Sequence, residues 1–68
     1  MDFKVGDKFD FNKPGYMELT GEIIQVNETS NNTFYTFKVL DLRFGSPITD
    51  HMCFSKKSPL IAFMEKIE

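Results

Sequence analysis

The chain has 68 residues, of which 41% are apolar and 15% aromatic, with eight basic and ten acidic side chains and a net charge of −2. This length makes one domain over residues 1–68, and its folding hides only about 60% of the unfolded surface. The single cysteine, Cys53, excludes an intrachain disulfide, no apolar run approaches the roughly 20 residues of a membrane span, and the missing basic excess speaks against a dedicated duplex-DNA binder.

The opening segment, MDFKVGDKFDF, is charged and lacks the apolar run of a signal peptide. With one cysteine, the expected compartment is the cytoplasm, away from membranes. Phe3, Val5 and a Gly6-Asp7 turn precede a first strand in which Phe9 and Phe11 alternate with Lys8 and Asp10. Asn12-Lys13-Pro14-Gly15 is a turn signal. A second strand is predicted from Tyr16 to Val26. Asn27 to Asn32 reads as a polar hairpin loop whose Asn residues tolerate positive φ.

TFYTFKVLDLRF, residues 33–44, reads as the third strand. Tyr35, Phe37 and Val39 share one face, whereas Leu40, Leu42 and Phe44 share the other. The second strand slips in the same way. Met17, Leu19 and Ile23 fall on one face, and Ile24 and Val26 on the other. A bulge inserts one residue and shifts the pattern by one, and Gly21 fits such a bend because it has no Cβ. Two neighbouring strands that change face midway predict a small barrel whose bent strands supply both halves of the wall. Gly45-Ser46-Pro47 breaks the chain, and a fourth strand is predicted from Ile48 to Phe54. Leu60, Phe63, Met64 and Ile67 then recur at i, i+3, i+4 and i+7. This predicts an amphipathic α-helix over residues 59–67 with Ser58 as N-cap and Pro59 in its first turn, docked on the sheet as a plug.

Phe3-Lys4-Val5-Gly6-Asp7-Lys8-Phe9, Gly21-Glu22-Ile23-Ile24-Gln25-Val26 and Tyr35-Thr36-Phe37-Lys38-Val39 together resemble the VGD, G-x-I-x-x-V and Y-x-V layout of SH3-like small barrels, including KOW-type domains. The resemblance spans roughly the first 40 residues. It implies a mainly β fold of four to five antiparallel strands, closed here by the C-terminal helix. An OB-type barrel is the alternative. Size and composition also resemble those of small accessory proteins of bacteria and their phages.

No arrangement of residues reads as catalytic apparatus, so the chain is not expected to be an enzyme. No cofactor is implied. His51 and Cys53 lie two apart on one strand face, but two ligands fall short of a zinc site, and a Cys-His nucleophile needs an orienting group and an oxyanion site besides. Tyr16, Phe34 and Phe44 are expected at the surface, suited to protein contact or base stacking. Glu18 and Glu22 share an outward face with Thr20 and offer acid to a basic partner. Lys56-Lys57-Ser58, before the expected helix start, is the candidate anion or nucleic-acid site. The expected function is a protein-binding or regulatory module that modulates a larger protein or complex, with self-pairing as a further option. The alternative is a nucleic-acid-binding barrel using the same aromatics with Lys4, Lys8, Lys13, Lys38, Lys56 and Lys57.

Overall fold

A computed structural model describes residues 2–47 and 49–67. Among these, five strands form one antiparallel sheet: β1 (Lys8–Lys13), β2 (Met17–Glu28), β3 (Thr33–Phe44), β4 (His51–Ser55) and β5 (Met64–Lys66). The order is β4-β3-β2-β1-β5, so the first four strands form a meander and the last returns to the free side of β1. The sheet is bent but open: β4 and β5 are its two edges and do not pair. The barrel expected from the sequence is therefore not closed. The expected start of the fourth strand, Ile48, lies outside the described residues.

Glycine makes two of the corners. Gly15 (φ +80°) lies in the β1–β2 turn, where the Tyr16 amide donates to Lys13 O at 3.0 Å. Gly6 (φ +96°) lets the Val-Gly-Asp segment turn back onto β2. The Gly6 amide donates to Ile23 O, and the Ile23 amide donates to Asp7 O, both at 2.8 Å. The Asp7 carboxylate accepts the Lys4 amide at 2.8 Å and lies 3.2 Å from Lys66 Nζ. These contacts hold its pKa below the ordinary carboxylate value, the Lys4 amide bond contributing most. The β2–β3 hairpin turns without left-handed asparagine, contrary to expectation, because no described residue other than glycine has positive φ. Thr29 and Asn32 close it instead, with the Thr29 amide donating to Asn32 O at 2.8 Å.

The changes of face in β2 and β3 are bulges. Their ladder shifts register between Ile23 and Gln25, between Thr20 and Gly21, and between Glu18 and Leu19. Ile24 on β2 is thereby left unmatched, as are Leu40 and Arg43 on β3. Past the first bulge, Val26 opposes Tyr35 and packs against the core. Gly21 is buried at the second. A Cβ there would stand 2.8 Å from Phe9 Cζ and 3.1 Å from Phe37 Cδ2, so two rings occupy the space a side chain would need.

Aromatic rings dominate the core. Tyr35 meets Phe3 edge-on at 5.4 Å between centroids, Phe3 meets Phe9 at 5.8 Å, and Phe9 meets Phe37 edge-on at 4.9 Å. Phe37 continues to Phe54 at 5.2 Å, and Phe54 to Phe11 at 5.5 Å. Met17, Leu19, Ile23 and Met64 fill in around them. Tilted and edge-to-face pairs at these distances add to the burial of large apolar surface, which is how so short a chain builds a core.

The expected C-terminal α-helix is absent. Pro59–Phe63 is a five-residue 3-10 turn, and the chain then extends into β5. The capping reading holds, since Ser58 Oγ accepts the Leu60 amide at 3.2 Å and proline occupies the first turn. The apolar stripe is divided differently. Leu60 and Ile61 pack against the core from the turn, Met64 is buried in β5, and Phe63 and Ile67 remain exposed. Backbone pairing decides it: β1 offers a free edge, and Met64, Glu65 and Lys66 pair with Phe11, Asp10 and Phe9. The 3-10 turn touches β1, β4 and β5, so it bridges the two edges of the bent sheet.

Candidate functional site

The two halves of β3 have different neighbours. From Phe34 to Lys38 it is paired on both sides, by β2 and by β4. The Val39 amide makes a further contact on the β4 side, to Asp50 O at 2.7 Å. Beyond it, among the described residues, no strand pairs with that side of β3. Leu40, Leu42 and Phe44 are 46%, 43% and 50% exposed along this free edge. The expectation that Leu40 and Leu42 line the second half of a barrel wall is corrected by this. The bulges do turn the strand, but no strand lies beyond it to cover them.

The end of the edge is fixed by a close approach. Gly45 (φ +105°) packs so tightly on the β1–β2 turn that a Cβ would stand 2.9 Å from Met17 Cγ and 3.0 Å from Tyr16 O. Beside it, Tyr16, Met17, Ser46, Pro47, Thr49 and Met52 line a shallow cleft of about 390 Å³. Tyr16 is 46% exposed at its rim, with Lys13 Nζ 5.8 Å from the ring centroid.

Asp50 stands beside Val39 on the β4 side, whereas Asp41 and Glu18 belong to the β2 side, Asp41 opposite Thr20 and Glu18 opposite Phe44. The Arg43 side chain is directed over β2 and β1. Its Nη1 donates to Thr20 Oγ1 at 2.7 Å, and its Nη2 to Asn12 Oδ1 and Leu19 O, both at 3.1 Å. Asp10 and Asp41 each lie 3.6 Å from the guanidinium, and Thr20 Oγ1 donates to Asp10 Oδ1 at 2.8 Å. This network ties three strands together on the polar face and leaves Arg43 turned away from the edge.

The residues singled out in the sequence do not form one cluster. Tyr16 and Phe44 are exposed as expected. Phe34 is half-buried instead of exposed, because Asn27 and Ser55 pair with it from both sides. Glu18 and Glu22 are half-buried on the Thr20 face, and Glu22 lies opposite Lys8 and Lys38. Lys56 reaches Asp2 at 2.6 Å, a contact that lowers the Asp2 pKa and raises that of Lys56. Ser58 is committed to its cap, and Lys57 is exposed.

His51 and Cys53 are both exposed on β4. Asp50 Oδ1 lies 2.8 Å from His51 Nδ1. Among the described residues no group of three or more His, Cys, Asp or Glu could hold a metal ion, and no helix is long and apolar enough to cross a membrane. Leu40 and Leu42 are the surface residues that sequence reasoning assigned to the wall. The available signal was the short reach of the fourth strand, too short to cover all twelve residues of β3. Comparison with family models, with curated proteins and with solved structures gives no match.

Proposed function

We propose that this protein is a small non-enzymatic binding module that regulates a larger protein or complex by docking on it, and that its fold is an SH3-like bent sheet. The observation that carries the reading is that Leu40, Leu42 and Phe44 are half-exposed on the part of β3 with which, among the described residues, β4 does not pair. Native sheets normally blunt or cover such edges, because free backbone groups beside apolar side chains recruit other chains. The Val-Gly-Asp turn docked on Ile23 and the 3-10 turn bridging the sheet edges support the fold assignment. Arg43, Lys56 and Lys66 each lie within 4 Å of a carboxylate, which favours a protein partner over a nucleic acid. The proposed setting is the cytoplasm of a bacterium or of a phage-infected cell.

The test is capture of partners from bacterial lysate on tagged protein, with and without nuclease, read by mass spectrometry. Retention of one protein after nuclease treatment and moderate salt supports the reading. Recovery that vanishes with nuclease moves the assignment to nucleic acid, whose phosphate contacts also weaken steeply with salt.

A further inference from the structure

We propose that two copies of this chain pair through the outer edge of β4, antiparallel and in the register that sets Cys53 opposite Cys53 of the second copy. The proposal goes beyond the binding-module reading and does not depend on it. The first observation is which backbone groups of β4 are free. The Val39 amide donates to Asp50 O and the Lys56 amide to Thr33 O, both at 2.7 Å. Backbone groups along a paired strand point alternately to its two sides. Asp50, Met52, Phe54 and Lys56 therefore turn theirs to β3, and His51, Cys53 and Ser55 turn theirs outward. Two of the outward groups are satisfied inside the chain. The His51 amide donates to Thr49 Oγ1 at 3.1 Å, and Ser55 O accepts the Ser58 amide at 2.9 Å. The Cys53 amide and carbonyl, the His51 carbonyl and the Ser55 amide are left without a partner among the described residues. His51 and Cys53 are exposed, so the middle of this edge is open.

The second observation decides the occupant. A two-fold axis at Cys53, the middle residue of β4, matches the free groups to themselves. Each Cys53 amide donates to the Cys53 carbonyl of the other copy, and each Ser55 amide to the His51 carbonyl of the other copy. The remaining groups of that ladder, the His51 amide and the Ser55 carbonyl, are the two already bonded inside the chain, so none is stranded. Side chains follow the same register. Half-buried Met52 falls opposite Phe54 of the other copy, and Asp50 opposite Lys56, so opposite charges meet and like charges do not. Asp50 and Lys56 keep 66% and 44% of their side-chain surface exposed beside their own partners, His51 and Asp2. The other free edges lack this match. Pairing β5 about its middle residue sets Glu65 against Glu65, and the bulges at Leu40 and Arg43 break the spacing along β3. A five-residue edge covers too little surface for a permanent dimer, so the association is weak and set by concentration.

The experiment dilutes isotope-labelled full chain, kept reduced, over about a hundredfold range of concentration while backbone amide shifts are followed. The expected result is that the amides of residues 51–55 move together along a monomer–dimer curve. Asp50→Lys sets like charges opposite each other at both ends of the paired edge and should weaken the dimer by about tenfold, two surface charge contacts of about threefold each. Adding Lys56→Asp to that variant restores the opposite pairing and should restore the affinity, which a merely structural effect of either substitution would not do. Both residues are exposed, so the variants keep the fold, as their own amide spectra will show. Shifts that do not change on dilution overturn the proposal. So do dilution shifts confined to residues 40–44 or 64–66, which assign self-pairing to another edge, and a loss in Asp50→Lys that Lys56→Asp does not repair.

Discussion

The inner half of β3 and its outer half are continuous in sequence and opposite in what they do. Tyr35 and Phe37 are buried between β2 and β4, each in edge-on contact with another ring. Leu40, Leu42 and Phe44, only a few residues on, are as apolar and remain half in water. Composition does not distinguish the halves. The difference is the partner strand: β4 is five residues long and β3 is twelve, so the ladder ends before the strand does. Apolar side chains count as core only where a second surface meets them.

That contrast predicts two responses to mutation, and the packed half should give the larger ones. Deleting residues 59–68 removes Leu60, Ile61 and Met64 from the core and uncovers β1, so cooperative thermal unfolding should be lost. A sharp transition in the truncated chain would show that the core needs no cover from this segment. Phe37→Ala deletes a ring that meets Phe9 and Phe54, and should cost about 3–5 kcal/mol. A domain of this size has about 3–10 kcal/mol in all, so urea titration should find the variant largely unfolded. Gly21→Ala forces a methyl group against Phe9 and Phe37 and should cost about 1–3 kcal/mol. An unchanged urea midpoint would mean that those rings move aside freely.

Acid sharpens the comparison from another side. The Asp7 carboxylate has a lowered pKa in the folded chain, against an ordinary value of 3.8. Its contribution is therefore present above 3.8 and is lost as the pH falls through the lowered native value. Stability should decline over that acid window, and Asp7→Asn should flatten the decline. A variant with the wild-type pH profile would show that the Lys4 and Lys66 contacts carry no linkage. The smallest effect on stability belongs to the outer half. Leu42→Lys should move the urea-derived stability by no more than about 0.5 kcal/mol, because its side chain is already half in water.

Much of this fold was legible from local pattern. Residues 33–44 read as a strand with the boundaries it has, the β1–β2 turn lies where Pro14-Gly15 places it, and the slips of phase at Ile24 and Leu40 are the bulges. Ser58 and Pro59 were readable as the start of a helical turn. The C-terminal helix was misread for a physical reason. Leu60 and Met64 face the core either on one helix or across a turn and a strand. What decides between them is the unfilled edge of β1, about fifty residues earlier in the chain, which no local periodicity encodes. The site was half legible. Exposure of Tyr16 and Phe44 followed from their places beside turns. Exposure of Leu40 and Leu42 did not, because apolar residues in a strand imply a covering surface, and only the assembled sheet reveals that β4 stops short.

The most direct test of the account uses Leu42→Lys, compared with wild type for capture of its lysate partner after nuclease treatment, at equal folded fraction. The account predicts a variant that melts within about 4 °C of wild type and no longer retains the partner. A variant that unfolds would place Leu42 in the core. A folded variant that still retains the partner would show that the free edge of β3 is not where this protein binds.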